Sequence, residues 1–239
     1  MGRLARIGLL IAVLGLFVSG CASSRHGGFA TPGRFVKDNN PAIWRDNHPS
    51  VMAFIKHYSS TRTVEKALQL SRAYMRRIIP EFRRRKLPME LAYLPLLESL
   101  FDPKADSGHA RGLWQFTPQT AKEMGMRVGR FIDDRISVRK STRAAAEYLD
   151  RLGRRFNYNW ALALAAYNGG PNYVAKAMRR QHKWDFWSLE LRKETAEYVP
   201  RFLAMLRVAQ EKFPHLMVAE LAKRGKRGRA RLSRRRRVG

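Results

Sequence analysis

The spacing of apolar residues through the middle of the chain is the feature that most constrains its fold. From about Ile43 to Phe213 they recur close to every 3.6 positions, and no segment shows the alternation typical of a β-strand. The pattern predicts one all-α domain without internal repeats. Helices are expected over 49–57, 61–79, 88–99, 117–124, 141–154, 159–167, 171–179 and 191–211.

Prolines and glycines divide these helices. Pro80 is expected to end the second helix, because proline lacks the backbone N–H that a helix interior uses. Pro88 is suited to the first turn of the third helix, and Pro95 would remove one hydrogen bond inside it. The run Gly169-Gly170-Pro171 predicts a corner between two helices.

The first 20 residues predict an export signal. Arg3 and Arg6 precede an apolar stretch over 7–18 that is too short for a membrane span of about 20 residues. The stretch ends in Val-Ser-Gly-Cys21, which resembles a bacterial lipoprotein signal and implies acylation of Cys21. We therefore expect a signal peptide over 1–20 and a flexible tether over 21–43. By resemblance to such lipoproteins, Ala22 points to the periplasmic face of the outer membrane.

The charge balance predicts an anionic partner. There are 47 Lys and Arg against 19 Asp and Glu, a net charge of +28. Residues 216–239 form a basic tail that is expected to be disordered and to bind an anionic envelope polymer or lipid. An exported protein does not meet chromosomal DNA, so we do not expect a nucleic-acid partner. With a single cysteine and no metal-ligand spacing of histidines, no metal site is expected.

Glu98 is the candidate catalytic residue. It ends a strongly apolar segment, with Leu91, Leu94 and Pro95 on the same predicted helix face. Apolar surroundings destabilise a carboxylate, so the pKa of Glu98 should rise toward neutrality, as a general acid requires. Taken alone, the position also fits a solvent-facing glutamate at a fraying helix end.

Several short motifs follow Glu98 in a distinctive order. The sequence resembles the catalytic domain of lytic transglycosylases of the soluble (SLT) type, which are related to goose-type lysozymes. It resembles most the membrane-bound lipoprotein subgroup, without wall-binding repeats. The resemblance covers roughly 45–213. The motifs are ES at 98–99, FDPKA at 101–105, Ser107, GLWQF at 112–116, AAYNGG at 165–170 and ETAEYV at 194–199.

The resemblance implies a lysozyme-like helical domain with a substrate groove, occupying 44–215. Within it, 44–86 would form N-terminal helices and 87–213 the SLT core. Glu98 would be the single catalytic acid/base. The residues implied to bind substrate are Ser107, Trp114, Gln115, Tyr167, Asn168 and Tyr198; for Trp114 a core role is equally compatible with the sequence.

The reaction implied is cleavage of the bond between N-acetylmuramic acid and N-acetylglucosamine in peptidoglycan, without water and without a cofactor, leaving a 1,6-anhydromuramic end. A hydrolytic muramidase remains an alternative, because Asp102, Asp106 or Glu194 could hold a water if it faced the groove. A catalytically inactive, wall-binding lipoprotein is a second alternative. A polyanion-binding protein of the nucleic-acid type is a third, disfavoured by the export signal.

Overall fold

The computed structural model describes residues 43–60 and 62–218, and this part of the chain is all-α, as predicted. Within the described residues, β-type pairing is limited to isolated bridges, such as those of Arg111 with Asp106 and Phe116. The α-helices are α1 (Pro49–Ser59), α2 (Thr63–Arg84), α3 (Pro95–Glu98), α4 (Pro118–Glu123), α5 (Val138–Arg155), α6 (Trp160–Gly169), α7 (Pro171–Gln181) and α8 (Lys193–Lys212).

Helix α6 lies at the centre of the fold. Every residue from Trp160 to Ala166 is buried, which fits a segment that is apolar on all sides. Helices α5, α7 and α8 pack against α6, while α1 packs along α8 and α2 along α5. The core therefore forms around two helices, α6 and α8, whose facing ends carry much of the candidate site.

Helix α2 runs through Pro80, so the prediction that Pro80 ends this helix is wrong. Pro80 lies on the exposed face, while Ile78 and Phe82 on either side are fully buried. A proline inside a helix costs about 3 kcal/mol, and burying two large apolar side chains contributes a similar amount. Packing against the core thus extends the helix to Arg84.

The segment expected to form one helix over 88–99 is broken into two short elements. A 3-10 helix spans Met89–Tyr93, and α3 begins at Pro95. Pro95 is therefore a first-turn residue and interrupts no helix, contrary to the sequence-based expectation. The chain leaves α3 through Leu100 and Phe101, both with left-handed backbone (φ 51° and 61°).

The predicted corner between α6 and α7 is confirmed. Gly170 has φ +92° and precedes Pro171, the first residue of α7. A Cβ on Gly169 would lie 2.7 Å from the hydroxyl oxygen of Thr195 in α8, so a glycine here allows the end of α6 to approach α8 closely. This approach brings the end of α6 and the start of α8 together.

The described helices include none with the length and apolar character needed to cross a membrane. Cys21, the predicted signal peptide (1–20), the predicted tether (21–43, except Ile43) and residues 219–239 of the predicted tail lie outside the described residues.

Ile43 and Met217 are buried in the core, and the Val218 backbone nitrogen donates to the Tyr93 hydroxyl at 2.8 Å, so Ile43 is not part of a flexible tether and residues 216–218 are not disordered, contrary to the prediction. The boundaries of the segments further out remain predictions.

Gly112 should be intolerant of any side chain. Its φ is +81°, and a Cβ would lie 2.0 Å from the backbone oxygen of Arg135. We expect Gly112→Ala to lower the free energy of unfolding in urea by roughly 3 kcal/mol, because it adds a backbone clash to left-handed strain. Gly125→Ala is the matched control: φ is +76° with nothing within 4 Å, so a loss of only about 1 kcal/mol is expected. Equal losses in the two variants would contradict the clash.

Candidate active site

A cavity opens where α3, the loop over 105–117, the end of α6 and one face of α8 meet. It brings together the predicted catalytic residue and five of the six predicted substrate-binding residues, although these lie as far apart in sequence as Glu98 and Tyr198. The lining residues are Leu97, Glu98, Ser107, His109, Ala110, Gln115, Thr117, Tyr167, Asn168, Glu194, Tyr198 and Arg201.

Glu98 is the last residue of α3 and lies at the inner side of the cavity. The Tyr198 hydroxyl donates a hydrogen bond to its Oε1. Removal from water raises the pKa of Glu98 from 4.5 to about 8, the Tyr198 hydrogen bond opposes this rise, and the charge of Glu194 adds to it. The side chain is partly accessible through the cavity mouth, yet the surrounding protein displaces most of its hydration. Glu98 is therefore protonated at neutral pH and faces the space where a ligand would bind.

Contacts on the C-terminal side of Glu98 fix its backbone. The Ser99 hydroxyl donates to the backbone oxygen of Leu113 at 2.8 Å, which ties the end of α3 to the loop that carries Gln115. Phe101 is fully buried and makes an edge-to-face contact with Tyr93, and this anchors the left-handed turn. Such strained backbone persists only where the surroundings over-determine it.

Gln115 is the most constrained polar residue of the loop. Its backbone is left-handed (φ 47°), and its amide nitrogen donates to the backbone oxygens of Ala105 (3.2 Å) and Gly112 (2.9 Å). Both nitrogen protons are thereby used, so the amide oxygen is the atom left to accept a hydrogen bond from a ligand.

Ser107 lies in a turn of the same loop. Its hydroxyl oxygen accepts from the backbone nitrogen of Ala110 at 3.0 Å. Arg111 stabilises the loop through ion pairs with Asp106 (2.7 Å) and Asp133 (3.2 Å). Arg111 is thus occupied by these two carboxylates and is not among the cavity-lining residues.

Two buried tyrosine hydroxyls lie in the cavity with Glu98. The Tyr167 hydroxyl donates to the backbone oxygen of Trp114 at 2.8 Å, whereas that of Tyr198 donates to Glu98. Burial and the nearby Glu98 carboxyl raise the pKa of both tyrosines well above 10. Both phenols therefore keep their protons throughout the physiological range.

Asn168 lines the cavity, but its amide group is engaged by α8. Its nitrogen donates to Glu194 Oε1 at 3.2 Å, and its oxygen accepts from the Thr195 hydroxyl at 3.0 Å. These bonds hold α6 and α8 together at the cavity edge. Its predicted direct contact with substrate stays a prediction.

Trp114, for which the sequence left substrate stacking and a core role both open, lies in the core. Its side chain is 0% exposed, its ring stacks on Phe82 with centroids 5.6 Å apart, and its indole nitrogen donates to the Thr142 hydroxyl at 3.0 Å. Trp114 is a core residue whose backbone oxygen serves the site by receiving the Tyr167 hydroxyl.

One cavity-lining cation, Arg201, was not predicted. Glu194, Tyr198 and Arg201 are spaced by four and three residues on α8, so they share one helix face. That spacing was visible in the sequence and would have identified Arg201 once Tyr198 was assigned to the site. In the ranges described by the structure, no group of three or more His, Cys, Asp or Glu side chains could hold a metal ion.

The part of the chain that carries Glu98 is similar to known proteins. Residues 77–189 match the model of the "Transglycosylase SLT domain". The chain is 44% identical over 137 residues to "Membrane-bound lytic murein transglycosylase D" of Escherichia coli K12, covering 55% of this chain and 30% of the relative. It is 42% identical over 106 residues to a "Putative tributyltin chloride resistance protein" of Alteromonas sp. strain M-1, covering 44% of this chain and 51% of the relative.

A solved structure is also similar: an inactive mutant of lytic transglycosylase Slt from Pseudomonas aeruginosa, with 25% identity, a TM-score of 0.45, and coverage of 58% of this chain and 24% of that chain. The chain thus spans between about a third and a half of the length of the curated relatives described above. Residues 77–189, which include Glu98, thus match a transglycosylase SLT domain, as the motifs around Glu98 predicted.

The hydrogen bond from Tyr198 should control the pKa of Glu98. Because this bond lowers that pKa, Tyr198→Phe should move it further above about 8. Tyr167→Phe removes a hydroxyl from the same cavity that donates to Trp114 instead, so it should leave the Glu98 midpoint within a few tenths of a unit. Carbon-13 NMR titration of the Glu98 carboxyl in the three proteins measures this directly. A midpoint near 4.5 in the unmodified protein, or an equal change in both variants, would contradict the assignment.

Proposed function

We propose that this protein is a peptidoglycan lytic transglycosylase that cleaves the bond between N-acetylmuramic acid and N-acetylglucosamine without water. The observation that carries the proposal is Glu98. It is a carboxyl with a pKa of about 8, hydrogen-bonded by Tyr198 in a cavity of an SLT-type domain. The relative from E. coli bears the name of a lytic murein transglycosylase.

The first step needs a proton donor at neutral pH. Glu98 would give its proton to the oxygen that links the two sugars, and the bond from that oxygen to the muramic anomeric carbon would break. The positive charge on the anomeric carbon would be stabilised by the neighbouring N-acetyl group. Gln115, through its unused amide oxygen, and Ser107 are proposed to orient that group.

The second step uses the same carboxyl as a base. Once ionised, Glu98 would be stabilised by the Tyr198 hydroxyl, which donates to Oε1 and cannot lose its own proton near neutral pH. The C6 hydroxyl of the muramic residue would attack the anomeric carbon and give its proton to Glu98. The product is a 1,6-anhydromuramic end, and Glu98 returns to its protonated form.

A hydrolytic muramidase is the second candidate, and Glu194 is the observation in its favour. Glu194 lines the cavity, whereas Asp102 and Asp106 do not. Asp102 accepts from the backbone nitrogen of Lys104 in a turn, and Asp106 pairs with Arg111. If water attacks the muramic carbon, Glu194 is the carboxylate available to activate it. Its hydrogen bond from Asn168 favours a positioning role instead.

An inactive, wall-binding protein would have no need to bury a carboxyl. A protein that only bound the wall would be more stable without Glu98 at this position, because burial raises its pKa and disfavours its ionised form at neutral pH. The presence of Glu98 in one cavity with Tyr198, Tyr167 and Gln115 favours catalysis.

We further propose an envelope location. Residues 1–20 would act as a lipoprotein signal peptide, and acylated Cys21 would anchor a tether over 21–43 to the periplasmic face of the outer membrane. The catalytic domain would occupy 44–215 together with Ile43 and residues 216–218, which pack on its core, and the rest of the tail over 219–239 would bind an anionic envelope polymer or lipid. The E. coli relative is named as membrane-bound.

Product analysis tests the reaction. Purified peptidoglycan digested with residues 22–239 should release fragments with 1,6-anhydromuramic ends, identified by mass spectrometry. Glu98→Gln should lower the rate of fragment release at least about a thousandfold, because the amide can neither give nor take the proton. Glu194→Gln should leave the anhydro ends in place. Reducing ends that disappear in Glu194→Gln would instead establish the muramidase.

Membrane fractionation tests the anchor. The full-length protein should partition with outer-membrane vesicles and gain the mass of an acylated N-terminus, whereas Cys21→Ser should remain unacylated because serine offers no thiol for the lipid. Ala22→Ser is a neighbouring control that keeps the thiol. Equal membrane partition of Cys21→Ser without any lipid mass would overturn the lipoprotein assignment.

A further inference from the structure

Helix α8 places an acidic, a neutral and a basic side chain along one wall of the cavity. Glu194, Tyr198 and Arg201 all line it and lie on one helix face, so an acid, a phenol and a guanidinium follow one another along the wall. Tyr198, in the middle, is bonded to Glu98. One side of the reacting centre is therefore negative, and the other is positive.

Arg201 is the unusual member of this set. Its Nε atom is buried without a hydrogen-bond partner, although the residue as a whole is partly exposed, and within residues 43–60 and 62–218 its guanidinium forms no ion pair. Buried polar atoms are ordinarily hydrogen-bonded, because a buried donor without an acceptor is costly. Arg207, further along α8, follows that rule and donates to the Asp46 backbone oxygen (2.7 Å) and the Asn47 side chain (2.9 Å).

The surroundings of Arg201 leave its donors available. The guanidinium carbon lies over the Phe54 ring, 5.4 Å from the centroid, so α1 supports one face of the group. Guanidinium donors point outward in its plane and match a carboxylate with two parallel hydrogen bonds. Arg201 thus has the geometry and the unused hydrogen-bonding capacity for an acidic ligand group that enters the cavity.

We propose that Arg201 forms a carboxylate subsite that pairs with an acidic group of the stem peptide carried by the muramic sugar. This inference rests on the proposed function, because that substrate brings carboxylates to the cavity. Glu194 at the opposite end repels the same groups. Arg201 and Glu194 together therefore determine the direction in which the peptide-bearing strand binds relative to Glu98. Arg201 is a binding residue in this proposal and takes no part in bond cleavage.

Binding measurements in a Glu98→Gln background test the subsite without turnover. Isothermal titration calorimetry would compare a soluble disaccharide–peptide fragment of peptidoglycan with the same fragment after amidation of its carboxylates. With Arg201 present, the acidic fragment should bind about tenfold tighter, the effect of one charge-assisted pair. Arg201→Met, which keeps apolar contact with Phe54, should abolish that preference and leave the affinity for the amidated fragment nearly unchanged.

Two further variants separate the subsite from net charge and from folding. Lys193→Met removes an equally charged group from the exposed start of α8, where Lys193 lies near Glu197 (4.0 Å), so the tenfold preference should persist. Arg201→Lys should keep part of the preference, and urea unfolding of each variant verifies its fold.

Three outcomes would overturn the subsite. The first is equal binding of the acidic and amidated fragments when Arg201 is present, which leaves the proposed function intact. The second is a preference that survives Arg201→Met. The third is the absence of binding by either fragment, in which case the proposed function fails and the subsite fails with it.

Discussion

The desolvation of one carboxyl group is the constraint on which the rest of the structure depends. Glu98 has to lie far enough from water for its pKa to reach about 8, yet remain accessible from the cavity. A carboxyl in that state needs a rigid surround, because any opening that rehydrates it would return its pKa toward the ordinary value. The fold supplies this surround from elements that are distant in sequence: α3, the loop over 105–117, α6 and α8.

Helix α8 contributes residues both to the core and to the cavity. Its residues Phe202 and Val199 are fully buried, and they fix the helix against the core. The face that carries Tyr198 is thereby held at a set distance from Glu98. Close approach of α6 at Gly169, together with the bonds between Asn168 and α8, completes the alignment. Packing and chemistry in this domain thus depend on the same helix.

Core residues also serve the site through their backbones. Trp114 is buried against Phe82, yet its backbone oxygen receives the hydroxyl of Tyr167. Leu113 receives the hydroxyl of Ser99 in the same way. A motif such as GLWQF therefore has two kinds of residue in it: those that hold the loop in the core, and one, Gln115, that reaches the cavity. Motif membership alone does not separate them.

The sequence by itself determined the helical class, most helix positions, and Glu98 with its neighbours in the motifs, because periodicity and local motif order are properties of short segments. It misjudged Pro80 and the break at Pro95, left the role of Trp114 open and did not assign Arg201 to the site. For Pro80 and Trp114 the deciding term was burial in the core: the buried Phe82 holds α2 beyond Pro80 and stacks on Trp114. Only tertiary structure decides which side of a residue meets the core and which meets the cavity, because that choice depends on contacts between segments that sequence spacing does not encode.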